Sequence, residues 1–304
     1  MEALTKAATS HDGTQPSGKT RGMTNAFTVD VEDYFQVEGF AKAIDRGSWD
    51  GFRTRVAAST STLLELLAQH KVRATFFVLG WVARKHPEVV RQIVALGHEV
   101  ASHGMSHRLI YTQTPAEFQR ETRAAKALLE DLSQSAVVGY RAATYSITRR
   151  SLWALDILCE EGFQYDSSIF PMRHDRYGMP DAEPRPHVLT TPGGGRLVEF
   201  PISVLHYCGA KVPVAGGGYF RLFPYRFTRW ALRKLNARQQ EFVFYVHPWE
   251  VDPEQPRVAA GALSRFRHYL NLDRCAQRLG LLLGDFQFDT MRSVLARRNL
   301  LPRP

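Results

Sequence analysis

The sequence predicts an α/β fold in which parallel strands alternate with helices and close into a barrel, and three observations point there. Short runs rich in β-branched and aromatic residues recur along the chain: AFTVDV (26–31), RATFFVL (73–79), HEVAS (98–102), VVGY (137–140), FQYDS (163–167), LVEFPI (197–202) and FVFYVH (242–247). Amphipathic stretches with recognisable ends lie between several of them. Strands separated by helices pair in parallel through right-handed crossovers, and seven or eight such units make a barrel.

The elements follow in order. Ser59 or Thr60 can cap a helix that places Leu63, Leu64 and Leu67 on one face. Pro87 suits the first turn of a helix ending near Gly97. Thr114-Pro-Ala-Glu117 reads as a capping box opening a helix to about Leu132. A further helix runs from about Thr148 to Glu161 and stops at Gly162. Residues 168–241 break the rhythm, with a proline-rich stretch and glycine triplets at 193–195 and 216–218. The triplets read as turns rather than phosphate cradles, because neither opens a helix with the required spacing. Residues 262–283 read as one amphipathic helix, followed by DFQFDTM.

Composition narrows the function. With 304 residues, 44% hydrophobic and 11% aromatic, general disorder is excluded, and no apolar run approaches the roughly 18 residues that span a bilayer. The formal charge is +9, but apart from the terminal RRNLLPRP the cations are scattered, as on a solvated surface, and no nucleic-acid-binding module is present. Cys159, Cys208 and Cys275 are odd in number and lack CxxC spacing, which fits a reducing compartment and argues against a cysteine metal site. Residues 1–24 are polar and lack a secretory core, so they read as a disordered extension of a cytoplasmic protein, acting in solution or at the inner membrane face.

In an α/β barrel, chemistry sits where strands end. The first strand ends in Asp30-Val31-Glu32-Asp33, and residues two apart share a face, so Asp30 and Glu32 can converge. The third ends in Ser102-His103-Gly104-Met105-Ser106-His107, whose two imidazoles four apart suit one metal ion. Arg141, Asp166 and His247 follow the fourth, fifth and seventh strands. Each alone has an ordinary reading as a cap, a surface pair or a strand end; together they bring carboxylates, imidazoles and a guanidinium to one rim.

The run FFVLGWVARKHPEVVRQIVALGHEVASHGMSH resembles the second core motif, with its lead-in, of the NodB-type polysaccharide deacetylases (carbohydrate esterase family 4). FTVDVEDYF, GYRAATYSI, YDSSIFP and FVFYVHPWEVDPEQP resemble the subfamily of exopolysaccharide and exosortase-associated loci, which carries its own C-terminal extension. The resemblance covers roughly residues 26–250. It implies a distorted (β/α)7 barrel of the NodB-homology type: a catalytic barrel at 25–255 and a helical extension at 256–304 that packs on it. It also implies metal-dependent removal of N-acetyl groups from N-acetylhexosamine units of a polysaccharide or glycan precursor, with zinc as the expected metal. Asp30 is then the general base, His103 and His107 are metal ligands, Arg141 holds the base carboxylate, Asp166 supports the acid, and His247 is the general acid. Most of the family has two adjacent aspartates where this chain has Asp30-Val31, so the third ligand falls to Glu32, with Asp33 as the fallback. Ala143 stands where the family usually has proline, which bears on one groove wall. Two other readings share these residues: hydrolysis of a small non-sugar amide or cyclic imide, and a non-catalytic polysaccharide-binding barrel.

The chemistry agrees with the resemblance. Two histidines and a carboxylate leave a divalent metal an open position for water, whose pKa falls to roughly 7. Asp30 can take its proton, a backbone N–H near Thr144 can face the oxyanion, and His247 can protonate the departing amine. Tyr177, Tyr219, Phe220 and Trp249 can stack on sugar rings or serve as core.

Overall fold

The computed structural model describes residues 22–302 apart from Asp175; the segment expected to be a disordered extension lies outside them up to residue 21. Eleven strands occur among the described residues: β1 (Thr24–Val31), β2 (Thr75–Val78), β3 (Glu99–Ser102), β4 (Gly139–Tyr140), β5 (Tyr165–Asp166), β6 (His187–Thr190), β7 (Arg196–Glu199), β8 (Val204–Tyr207), β9 (Ala210–Pro213), β10 (Val243–Val246) and β11 (Gln287–Asp289). The main sheet runs β10-β1-β2-β3-β4-β5-β7-β6, parallel throughout except for the edge pair β6–β7. Seven parallel strands, most of them joined by helical crossovers, thus give the expected α/β architecture; the connection from β5 to β7 carries β6 instead of a helix. Among the described residues no ladder joins β7 to β10; a single parallel bridge sets Gly216 against Tyr245 on the free edge of β10.

Alternation along the strands divides the core in two. Phe27, Val29 and Val31 of β1 point outward into a cluster shared with the surrounding helices. Ala26, Phe77, Ala101, Tyr165, Val198 and Val243 belong to the inner cluster, which Met291, Val294 and Leu295 of the last helix, Met291–Arg297, complete from below. β11 pairs with Thr24–Ala26, ahead of the stretch of β1 that β2 uses, so chain beyond residue 256 is part of the sheet itself.

Most helices start where their sequences indicate. Thr114 and Glu117 form the capping box of the helix Pro115–Ser133, and Pro87 opens Pro87–Ala95. The first long helix differs: it begins at Val56, placing Ser59 and Thr60 inside it. Its cap comes from elsewhere in the chain, because Asp33 Oδ2 accepts the Arg55 and Val56 N–H groups at 2.7 and 3.1 Å. The stretch expected as one helix over 262–283 is two, Ala262–Tyr269 and Cys275–Asp285, broken where Asn271 adopts φ 52°. The second glycine triplet opens the helix Gly217–Leu222 rather than a simple turn. A Cβ on Gly216 would lie 1.9 Å from the Tyr245 carbonyl oxygen, so packing on β10 demands the glycine. Residues 225–237, read as loop, form the helix Tyr225–Ala237.

Candidate active site

Register decides what meets at the carboxyl ends of the strands. Val31 pairs with Val78, Val78 with Ser102, and Ser102 with Tyr140, so the next residues in three of these strands are Glu32, His103 and Arg141. On the other side of β1, Val29 pairs with Val246, which brings His247 level with Asp30. Thr28, Asp30 and Glu32 share the inner face of β1 by the two-residue period of a strand. Asp30, Glu32, His103, His107, Thr144 and His247 line one cavity of about 170 Å³.

Asp30 and Arg141 are both buried and form an ion pair, with Arg141 Nη1 donating to Asp30 Oδ1 at 2.7 Å and to Thr28 Oγ1 at 2.8 Å. The rest of the guanidinium donates to the Ser167 carbonyl and hydroxyl oxygens and lies over the Phe77 ring. Every direction in which Arg141 could move is thus occupied, and the carboxylate it holds is fixed in turn.

Glu32, His103 and His107 each offer a ligand atom within 4.8 Å of the others, and all three are buried. The set fits a divalent transition metal. His103 Nδ1 donates to the Arg141 carbonyl oxygen at 2.9 Å, leaving Nε2 as the donor. Burial pushes the His103 pKa down to about 4, so the ring is neutral, as a ligand must be. Glu32 Oε2 and His107 Nε2 lie 2.6 Å apart without hydrogen-bond alignment, and His107 Nδ1 has no partner. Burial opposes the charge on Glu32, but the neighbouring His107, His247 and His103 hold its carboxyl far below the usual range. His107 adopts φ 53°, and Arg46 secures that turn by donating to the Ser106 and His107 carbonyl oxygens.

Asp33 is not brought to this cluster. Its carboxylate accepts the N–H groups of Tyr34, Arg55 and Val56, so it serves as the helix cap described above. Asp166 also stands apart from the role expected of it. Its Oδ1 accepts the Ser168 hydroxyl at 2.6 Å, and Ser168 accepts the Ala142 N–H, so Asp166 steadies the backbone after Arg141 rather than His247. Burial raises Asp166 to about 6 against the hydrogen bonds it receives from Glu199 and Ser168, while burial and the facing Asp166 push Glu199 well above the usual carboxylate range.

The group on His247 is Glu250, three residues on, whose Oε1 lies 2.8 Å from Nδ1. Arg221 Nε donates to the other oxygen of Glu250 at 2.6 Å, and the rest of its guanidinium donates to the carbonyl oxygens of Arg267, His268 and Leu270. Burial disfavours the imidazolium, but the Glu250 hydrogen bond and the charge of Glu32 outweigh it and raise His247 to about 9. Glu250 falls to about 2 against its own burial, through Arg221 and His247. The Trp249 ring stacks on His247, and its N–H reaches Glu32 Oε1, while Phe220 lies in the core against Phe244.

Residues 44–158 match the family model described as polysaccharide deacetylase. Over those residues the chain carries a polysaccharide deacetylase domain. Residues 167–296 match a domain of unknown function (DUF3473). The chain is 37% identical over 99 residues to a chitooligosaccharide deacetylase of Bradyrhizobium sp. (strain ANU 289), covering 33% of this chain and 43% of that protein. It thus spans less than half the length of the curated relatives it matches. Among solved structures, a Mycobacterium smegmatis protein assigned to the polysaccharide deacetylases superposes with TM-score 0.63 at 21% identity over 95% of this chain and 96% of that one. Puue allantoinase superposes with TM-score 0.61 at 13% identity, over 98% and 100% of the two chains. Identities this low establish the fold alone.

The part matched as a deacetylase domain contains His103, His107 and Arg141, while Asp30 and Glu32 precede it and His247 follows it. Sequence reasoning missed Glu250 and Arg221. Glu250 had a signal in HPWE, where a glutamate three residues on can reach back to the histidine N–H, as it does at 3.1 Å. Arg221 had none. No helix among the described residues is long and apolar enough to cross a membrane.

Proposed function

We propose that the protein removes N-acetyl groups from N-acetylhexosamine units of a polysaccharide or its precursor, as in exopolysaccharide assembly, with a zinc ion held by Glu32, His103 and His107. The observation that carries the proposal is the three-donor cluster sharing a cavity with an arginine-held aspartate and a glutamate-held histidine. Bound zinc supplies a polarised carbonyl and a water of lowered pKa.

The side chains supply the proton transfers. Asp30, with Oδ1 fixed by Arg141, takes a proton from the attacking water. His247, protonated because Glu250 engages Nδ1, delivers a proton from Nε2 to the amide nitrogen as its bond to the acetyl carbon breaks. Water and an acetamido sugar become acetate and an amino sugar, and atoms balance. Thr144 lines the cavity at φ 54°, and its backbone N–H is the donor assigned to the developing oxyanion.

The experiment is acetate release from N-acetylated chitooligosaccharides by wild type and Asp30→Asn. Loss of a general base lowers kcat by about 10²–10⁴, and the variant keeps its zinc. Full activity in the variant removes Asp30 from the mechanism; acetate released only from small amides or cyclic imides removes the glycan substrate.

A further inference from the structure

A second cavity, of about 370 Å³, opens beside the catalytic one, and Glu38, Thr144, Tyr177 and Tyr245 line both. Part of its wall is apolar: Leu222, Phe266 and Leu270 line it, beside Arg176 and Arg267, and Leu222 and Phe266 remain 49% and 56% exposed. Leu263, one turn before Phe266 on the helix Ala262–Tyr269, is 62% exposed. Single exposed apolar side chains are ordinary on a protein surface, whereas a cluster at the mouth of a cavity marks a binding site. Two of the seven exposed large hydrophobic side chains among the described residues line this cavity, and Leu263 lies one turn from one of them.

The wall is built to hold its place. Arg221, adjacent to Leu222, donates to the carbonyl oxygens of Arg267, His268 and Leu270 and, with the same guanidinium, to Glu250. The group that fixes the end of the helix Ala262–Tyr269 therefore also fixes the carboxylate behind His247. Leucine side chains make no hydrogen bonds to sugar hydroxyls, and burying hydroxyls against them is unfavourable. An alkyl chain gains from the same contact.

Resting on the deacetylase reading, we propose that this second cavity receives an apolar aglycone. The substrate is then an amphiphilic glycan, with an N-acetylated sugar at the catalytic cavity and an alkyl or isoprenoid chain on the wall formed by Leu222, Phe266 and Leu270.

The test compares octyl N,N′-diacetylchitobioside with free N,N′-diacetylchitobiose, for wild type and the Leu222→Ser, Phe266→Ser double variant. Kinetics of acetate release are measured together with calorimetric binding of the octyl glycoside to zinc-loaded Asp30→Asn, with and without the two wall substitutions. The chain should lower KM by at least about tenfold in wild type with kcat unchanged, as uniform binding does. The double variant should lose that advantage while treating the free sugar as wild type does. Equal KM values in wild type overturn the proposal, and so does a double variant that loses activity on both substrates equally, which would make the wall a sugar subsite. Acetate from neither substrate refutes the deacetylase reading instead; calorimetry then decides the cavity alone, with wall-dependent binding of the octyl glycoside supporting it and wall-independent or no binding overturning it.

Discussion

Residues 24–166 and residues 187–302 furnish the same cavity by different means. In the first stretch, strand and helix alternate regularly, and the functional side chains stand at strand ends: Asp30 and Glu32 after β1, His103 and His107 after β3, Arg141 after β4. In the second, one strand delivers His247, whose partner Glu250 is held by Arg221 on a short helix 29 residues earlier, and Arg221 in turn donates to carbonyls 46–49 residues further along the chain. Each half nonetheless contains one buried arginine–carboxylate pair: Arg141 on Asp30 in the first, Arg221 on Glu250 in the second. The proposed base, Asp30, and the carboxylate behind the proposed acid, His247, are held by equivalent devices, one written at strand ends and the other assembled across the fold.

The strongest way to break this parallel is to remove the two arginines. Arg141→Ala leaves Asp30 buried without its ionic partner, and Arg221→Ala leaves Glu250 with His247 alone and strips three carbonyl oxygens of their donor; removing one member of a buried pair costs about 3–5 kcal/mol of folding stability. Urea unfolding of the two variants should give comparable losses. A small loss for Arg221→Ala alone would show that the second half does not hold its carboxylate as the first does.

A milder change sharpens the comparison at the acid. His247 must be protonated to donate, so activity is present below its folded pKa and disappears as pH rises through it. Glu250 raises that pKa towards about 9. In Glu250→Gln the alkaline limb of kcat should move to lower pH, with the acid limb retained; a pH–rate profile checks it. An unchanged alkaline limb would mean that Glu250 does not tune His247. For folding the sign is the same: the raised His247 pKa contributes stability that is complete below its ordinary value near 6.5 and fades as pH rises towards 9.

The smallest effect concerns Asp33. Its replacement by alanine removes a helix cap and should cost about 0.5–2 kcal/mol while leaving chemistry in place. Thermal unfolding measures the loss, and acetate release shows whether catalysis survives.

Legibility in the sequence followed the distance over which a residue acts. Asp30 with Glu32, and His103 with His107, are two and four positions apart, spacings that strand and turn geometry translate directly into convergence. Thr114 and Glu117 announced their helix for the same reason. Asp33 looked like a ligand because it adjoins Glu32, but one residue along a strand reverses the side chain, and it caps a helix 22 residues later. Asp166 ended its strand as expected, yet Ser168, two positions on, claims its carboxyl, a local contact that a strand-end reading of Asp166 passes over. The helix Tyr225–Ala237 was hidden by surrounding glycines and prolines, which made its region read as loop. Arg221 was invisible because three of its four hydrogen-bond partners are backbone carbonyls, whose positions no side-chain pattern encodes.

In the proposed site, Glu32, His103 and His107 hold the metal and Asp33 does not. Zinc content after equilibration and desalting, measured on wild type, Glu32→Ala, Asp33→Ala and the His103→Ala, His107→Ala double variant, tests it most directly. Wild type and Asp33→Ala should retain about one zinc per chain, the single metal of a three-ligand site, while the Glu32 and double-histidine variants should retain little. Zinc lost from Asp33→Ala while that variant stays folded, or kept in full by Glu32→Ala, would contradict the account.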